Sequence, residues 1–214
     1  MIQVASFTYN VFEENTYILF DETKECIIID PGCNNQTERD DLKKFIDTNM
    51  LKPVRLINTH CHLDHIFGNK WVYVTYGLLP EIHEGEWQVL QAAPQVSMMY
   101  GVRCDVSPSP VRFISDGDIV RFGNSALKSI LAPGHSPASL CFYAENEKFL
   151  IGGDVLFYES IGRTDLPGGD YDTLIHSIQN RLMTLPDDIE VHSGHGPSTT
   201  IGHERKYNPF INEH

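Results

Sequence analysis

Residues 58–68 read NTHCHLDHIFG, and His60, His62, Asp64 and His65 fall within six positions of it. In an extended segment side chains alternate, so His60 and His62 point to one side and Cys61 to the other. If the chain then turns into a helix, Asp64 and His65 face back from its first turn. One histidine pair and one Asp-His pair are then offered to neighbouring points in space. Neutral imidazoles with a carboxylate suit Zn²⁺, Fe²⁺ or Mn²⁺, and the lack of thiolates argues against a closed structural zinc site. Polar groups crowded this closely are costly to bury without a common partner.

The flanking sequence places this cluster. Segments 4–10, 16–20 and 26–30 are rich in β-branched and aromatic residues and read as strands. Asp30-Pro31-Gly32 closes the third with a turn signal. Leu42, Phe45 and Ile46 recur at helical spacing, which predicts an amphipathic helix over 36–50, stopped before Pro53. Residues 54–58 make a short buried-type strand, so the cluster follows a strand's carboxyl end, where α/β architectures place ligands. Further on, 67–74 reads as helix then strand, 80–83 as strand and 84–92 as helix. Residues 93–110, with three prolines, are either a mobile flap or a plain connection. Strands are expected at 111–114, 119–122, 127–131, 140–143, 149–151 and 190–192, and a helix at 171–185. Two sheets packed on each other with helices outside, a four-layer α/β arrangement in one domain over 1–214, account for this order.

Three more sites follow strand ends and carry glycine: APGHS with His135, GGD with Asp154, and SGHGP with His195. Glycine lets the backbone turn sharply and approach a ligand closely. Together with the first cluster these supply the side chains needed to complete two adjacent metal positions.

THCHLDH, APGHS, GGD and SGHGP, in that order, resemble the metallo-β-lactamase superfamily. SIGRTDLPGGD (160–170) and GHGPSTTIGHERKYNPF (194–210) resemble its glyoxalase II-like branch. The resemblance implies the αββα sandwich of two mixed β-sheets with helices outside. It implies a binuclear metal site, with zinc expected and iron or manganese possible. His60, His62 and His135 would hold one ion, Asp64, His65 and His195 the other, and Asp154 would bridge them. The expected reaction is hydrolysis of a thioester of the hydroxyacylglutathione type by a bridging hydroxide that Asp64 could orient. Arg163 lies where this branch carries a basic residue for the thiol carrier's carboxylate. An ion pair with Asp165 or Asp170 is the other reading of that arginine.

Full-length glyoxalase II has an extra C-terminal helical region, whereas this sequence ends 19 residues after His195, with IGHERKYNPF as one short helix. A smaller or different acyl carrier fits that difference. The related persulfide dioxygenases, which use a single iron, are the alternative reading, and lactonases or other ester hydrolases share the same metal site. His195 and its GHGP context favour the hydrolase.

The 214 residues carry a net charge of −13, a poor footprint for nucleic-acid binding, which needs clustered Lys and Arg. The N-terminus lacks a signal-peptide pattern and no apolar run is long enough to span a bilayer. Five scattered cysteines without a Cys-x-x-Cys pair suggest reduced thiols. A cytoplasmic enzyme acting on a small molecule, without nucleic-acid or membrane partners, is the expectation. His83, His176, His192, His203 and His214 lie outside the motif and are expected to be structural or surface residues.

Overall fold

The computed structural model describes residues 1–212, so His214 lies outside the described residues. The chain forms two compact units, Met1–Ile114 with Arg121–Ala126, and Ser115–Val120 with the described residues from Leu127 onward.

The first unit holds strands β1 (Gln3–Tyr9), β2 (Glu14–Phe20) and β3 (Glu25–Ile29), helix α1 (Gln36–Thr48), β4 (Lys52–Ile57), α2 (Leu63–Ile66), α3 (Asn69–Tyr76), β5 (Pro80–Ile82), α4 (Trp87–Tyr100) and β6 (Arg112–Phe113). Its six strands lie in sequence order, the first three antiparallel and β3 to β6 parallel. Helix α1 starts at a capping box in which Asn35 accepts from the Glu38 N–H, and Leu42 and Ile46 supply its buried face. Pro53 has no N–H for the ladder, and the β3–β4 register shifts next to it, from Cys26↔Pro53 to Ile27↔Arg55. Tyr9, Ile18, Phe20, Ile28, Leu42, Ile46, Leu56 and Val72 make one apolar core of this unit. Cys61, Leu63, Ile66, Phe67, Ile82 and Leu90 make another, directly beneath the histidine segment.

The second unit is built mainly on β7 (Ile119–Phe122), β8 (Ser125–Leu131), β9 (Leu140–Ala144), β10 (Phe149–Gly153), the small hairpin β11 (Leu156–Phe157) and β12 (Ser160–Ile161), helix α5 (Tyr171–Ser177), β13 (Glu190–Ser193), β14 (Thr199–Thr200), α6 (Ile201–Tyr207) and α7 (Pro209–Asn212). The sheet order is β14-β13-β10-β9-β8-β7, with β10 and β13 parallel and the pairs β8–β9, β9–β10 and β13–β14 antiparallel. The tip of the β7–β8 hairpin belongs with the first unit. There Asp21 accepts from the N–H groups of Thr23 and Asn124 at 2.9 and 2.8 Å and from the Ser125 hydroxyl at 2.8 Å.

Four expectations change. Residues 69–76 are helical throughout, because Gly77, in the left-handed region at φ 73°, caps the helix before any strand begins. The segment from 93 is neither flap nor plain connection at its start. Helix α4 runs through Pro94 to Tyr100, its Leu90, Ala93 and Ser97 buried. Residues 171–185 are α5 followed by a π-helical turn at Ile178–Leu182, and IGHERKYNPF is two short helices rather than one. Among the described residues no helix is long and apolar enough to cross a membrane.

Candidate metal centre

In the first unit the ligand segment begins one residue after β4 and Asn58. His62 has extended backbone and caps α2, so Asp64 and His65 occupy the first helical turn, as the spacing requires. The His60 ring lies 4.7 Å from that of His62 and 4.1 Å from that of His65, centroid to centroid. His60 and His65 are fully buried, while His62 and Asp64 are partly exposed.

Hydrogen bonds fix which nitrogen each ring presents. His65 Nδ1 lies 3.0 Å from Asp30 Oδ2. A carboxylate only accepts, so Nδ1 carries the proton and Nε2 the lone pair. Thr59 donates its hydroxyl to the same Asp30 oxygen at 2.5 Å, and His60 Nδ1 lies 3.1 Å from that hydroxyl. The hydroxyl proton being spent, His60 Nδ1–H donates to it and His60 Nε2 is again the basic nitrogen. Asp30 also accepts from the Thr59 N–H at 2.7 Å. One buried carboxylate thus sets both tautomers and the backbone entry to the segment, the outer-sphere arrangement usual for ligating histidines.

Two further acids brace this segment. Glu86, fully buried, accepts from the Cys61 N–H at 2.9 Å, midway between His60 and His62. Glu14 is also fully buried; its Oε2 accepts from the Thr16 hydroxyl at 3.0 Å and its Oε1 lies 3.9 Å from His65 Nδ1. Burial, only partly offset by His65, holds the Glu14 carboxyl well above its usual range. Gly32 is required beside it, because a Cβ there would collide with the Glu14 carboxylate and the Asp64 carbonyl. Asn58 donates to the His65 carbonyl at 2.9 Å and accepts from Asn69 at the same distance, which closes the loop behind the ligands.

In the second unit His135, Asp154 and His195 come from three strand ends onto one carboxylate. His135 Nε2 and His195 Nε2 each lie 3.5 Å from Asp154 Oδ2. His135 Nδ1 donates to the Arg163 carbonyl at 2.7 Å, so this ring too presents Nε2. The turn before His135 needs glycine: Gly134 has φ 127°, and a Cβ would strike the backbone of Leu174 in α5. Phe157 meets the His195 ring edge to face at 6.2 Å.

Cys61 packs at 1% exposure in the apolar cluster under the segment, and burial pushes its thiol well above the usual range. It is a core residue, as alternation implied. Arg163 forms a two-pronged exposed pair with Asp165, with both contacts at 2.7 Å, and this holds the Asp165 carboxyl down at about 2. Asp170 instead caps α5 by accepting from the Thr173 N–H at 2.8 Å. Sequence reasoning missed Asp30, Glu86 and Glu14. Asp30 was legible as the acid closing a strand before Pro-Gly, whereas Glu86 and Glu14 carry no local signal. A donor set of oriented imidazoles and carboxylates without thiolate fits a divalent ion such as zinc, iron or manganese.

Comparison with known proteins agrees with this chemistry. The family model described as the metallo-β-lactamase superfamily matches residues 9–195. Hydroxyacylglutathione hydrolase GloC of Haemophilus influenzae is 36% identical over 205 residues, 94% of each chain. Among solved structures, BLEG-1 B3 metallo-β-lactamase superposes with a TM-score of 0.89 at 34% identity, covering 99% of this chain and 100% of that one. TTHA1623 in a di-iron-bound form gives 0.87 at 32%, covering 97% and 100%. Seven ligand-type side chains in the family's order, on two mixed sheets with helices, and a family match over most of the length make this chain a member of the metallo-β-lactamase superfamily.

Proposed function

We propose that this metallo-hydrolase of the metallo-β-lactamase superfamily cleaves a small thioester of the hydroxyacylglutathione type in the cytoplasm, using two divalent ions, zinc by preference. His60, His62 and His135 would hold one ion, Asp64, His65 and His195 the other, with Asp154 between them. The observation that carries the reading is the fixed tautomers: His60 and His65 through Asp30, and His135 through the Arg163 carbonyl, all present Nε2. When bound, such ions polarise a carbonyl and supply hydroxide at neutral pH.

The chain's own residues supply the rest. Asp64, partly exposed at the first turn of α2, orients the nucleophile. Asp30 and the Arg163 carbonyl keep the imidazoles from rotating or changing tautomer. Arg163 takes a carboxylate of the thiol carrier. Its present partner, Asp165, is 68% exposed, and exposed ion pairs are weak, so a substrate carboxylate can replace it. A thiolate leaving group, with a parent pKa of about 8.5, departs with little acid help.

The similarity to a B3 metallo-β-lactamase supports lactam hydrolysis as a second reading, and the di-iron relative keeps iron in view. The test is turnover of S-lactoylglutathione and of a β-lactam by zinc- and iron-loaded protein, wild type against Asp64→Ala. The expected result is thioester turnover by wild type, reduced about 100-fold in the variant. Equal rates, or activity on the lactam alone, overturn the reading.

A further inference from the structure

Glu204 and Asn208 lie in the second unit, on and just after α6, and are both fully buried. Glu204 Oε2 accepts from the Glu159 N–H at 3.0 Å and from Asn208 Nδ2 at 2.7 Å, and its Oε1 accepts from the Thr199 hydroxyl at 2.5 Å. Asn208 Nδ2 also donates to the Ser160 carbonyl at 2.9 Å. The two side chains therefore grip the Glu159 N–H in the β11–β12 turn and the Ser160 carbonyl just after it, where Glu159 has the left-handed φ of 52°.

Two residues beyond that grip, the chain reaches the metal centre. Gly162 lies so close to the Asp154 carbonyl that a Cβ would collide with it and approach His135 Nδ1 at 3.0 Å. The next carbonyl, that of Arg163, is the acceptor that sets the His135 tautomer. We infer that Glu204 and Asn208 are positioning residues. By pinning residues 159–160 they fix where the Arg163 carbonyl meets His135 and where the Arg163 guanidinium is held for substrate. The substrate half of this inference rests on the thioester reading above; the His135 half does not.

A helix that merely needs docking would use the same residues, and Arg205 separates the two cases. It sits on the same helix but donates to the Met183 and Leu185 carbonyls at 2.7 and 2.9 Å and pairs with Asp187, away from the turn. Arg205→Ala thus loosens α6 without touching residues 159–163.

The experiment uses zinc-loaded full-length protein: wild type, Asn208→Ala, Glu204→Ala, Glu204→Gln and Arg205→Ala. Zinc affinity is read by competition with a chromogenic chelator, KM and kcat on S-lactoylglutathione, and Tm by scanning. Expected are a roughly 10-fold loss of zinc affinity and a roughly 10-fold rise in KM for both alanine variants at 204 and 208, with kcat within about twofold. Glu204→Gln keeps an acceptor for Glu159 and Asn208 while the Thr199 hydroxyl can turn to accept, so it is expected near wild type. Arg205→Ala is expected to lower Tm with zinc affinity and KM unchanged. If zinc affinity follows Tm across all the variants, Arg205→Ala included, the two residues only dock the helix and the inference fails. If Glu204→Ala does not fold, Asn208→Ala and Glu204→Gln decide by the same readouts. Wild type that binds zinc but leaves the thioester intact refutes the substrate reading, and the zinc measurements still judge the His135 half.

Discussion

Asp30 shows how much of a candidate metal centre can hang on one buried side chain. Its carboxylate holds Thr59 and His65 directly and His60 through the Thr59 hydroxyl. Three donors converge on this carboxylate, so Asp30→Asn would leave at least one of them facing an N–H group whichever way the amide turns. Metal affinity is expected to fall about 10- to 100-fold, measurable by chelator competition. Glu86 acts on the backbone instead. Glu86→Ala leaves the buried Cys61 N–H without its acceptor, and urea melts are expected to show a loss of about 1–3 kcal/mol. Asp21 links residue and pH. Its burial works against ionisation, but donors from Thr23, Ser125 and Asn124 outweigh it and lower the pKa. A carboxylate lowered on folding contributes stability that is present above its unfolded value of about 3.9 and lost as pH falls through the lower, folded value. The difference in Tm between wild type and Asp21→Asn is therefore expected to be constant from pH 7 to about 5 and to shrink below about 4.

Elements place these residues, and here sequence and structure can be compared. The alternation and turn in THCHLDH were legible because a strand period passes into a helical turn within seven residues, and α2 begins where that pattern requires. The buried Leu42 and Ile46 of α1 were equally visible, whereas its Asn35–Glu38 capping box came only from the structure. Helix α4 was cut short in the sequence because Pro94 reads as a breaker. Its missing N–H is tolerated while Leu90, Ala93 and Ser97 keep the helix face buried. The two-residue strands β11, β12 and β14 have no periodicity to detect; β11 and β14 lie against β13, and β12 against β11 and α7. Close approach explains Gly134 of the motif, whereas Gly196 has open space around it and a left-handed φ of 70°. Gly134→Ala is expected to push α5 from the His135 turn, since the added methyl would meet the Leu174 backbone, and to cost both Tm and zinc affinity. A variant with unchanged zinc affinity would show that this contact does not position His135.

For the whole molecule, two compact units each carry a converging set of donors: His60, His62, Asp64 and His65 in one, His135, Asp154 and His195 in the other. The family was legible in the sequence because those donors recur in a fixed order at strand ends. The substrate was not: Arg163, proposed to select it, is an exposed side chain whose partners a sequence does not specify. The central proposal is that the two sets share two ions. Metal content by mass spectrometry on zinc-reconstituted, dialysed protein tests this most directly, with wild type and His195→Ala compared. The expected result is two zinc ions per wild-type chain and one per variant chain; one ion in wild type, or two in both, would contradict it.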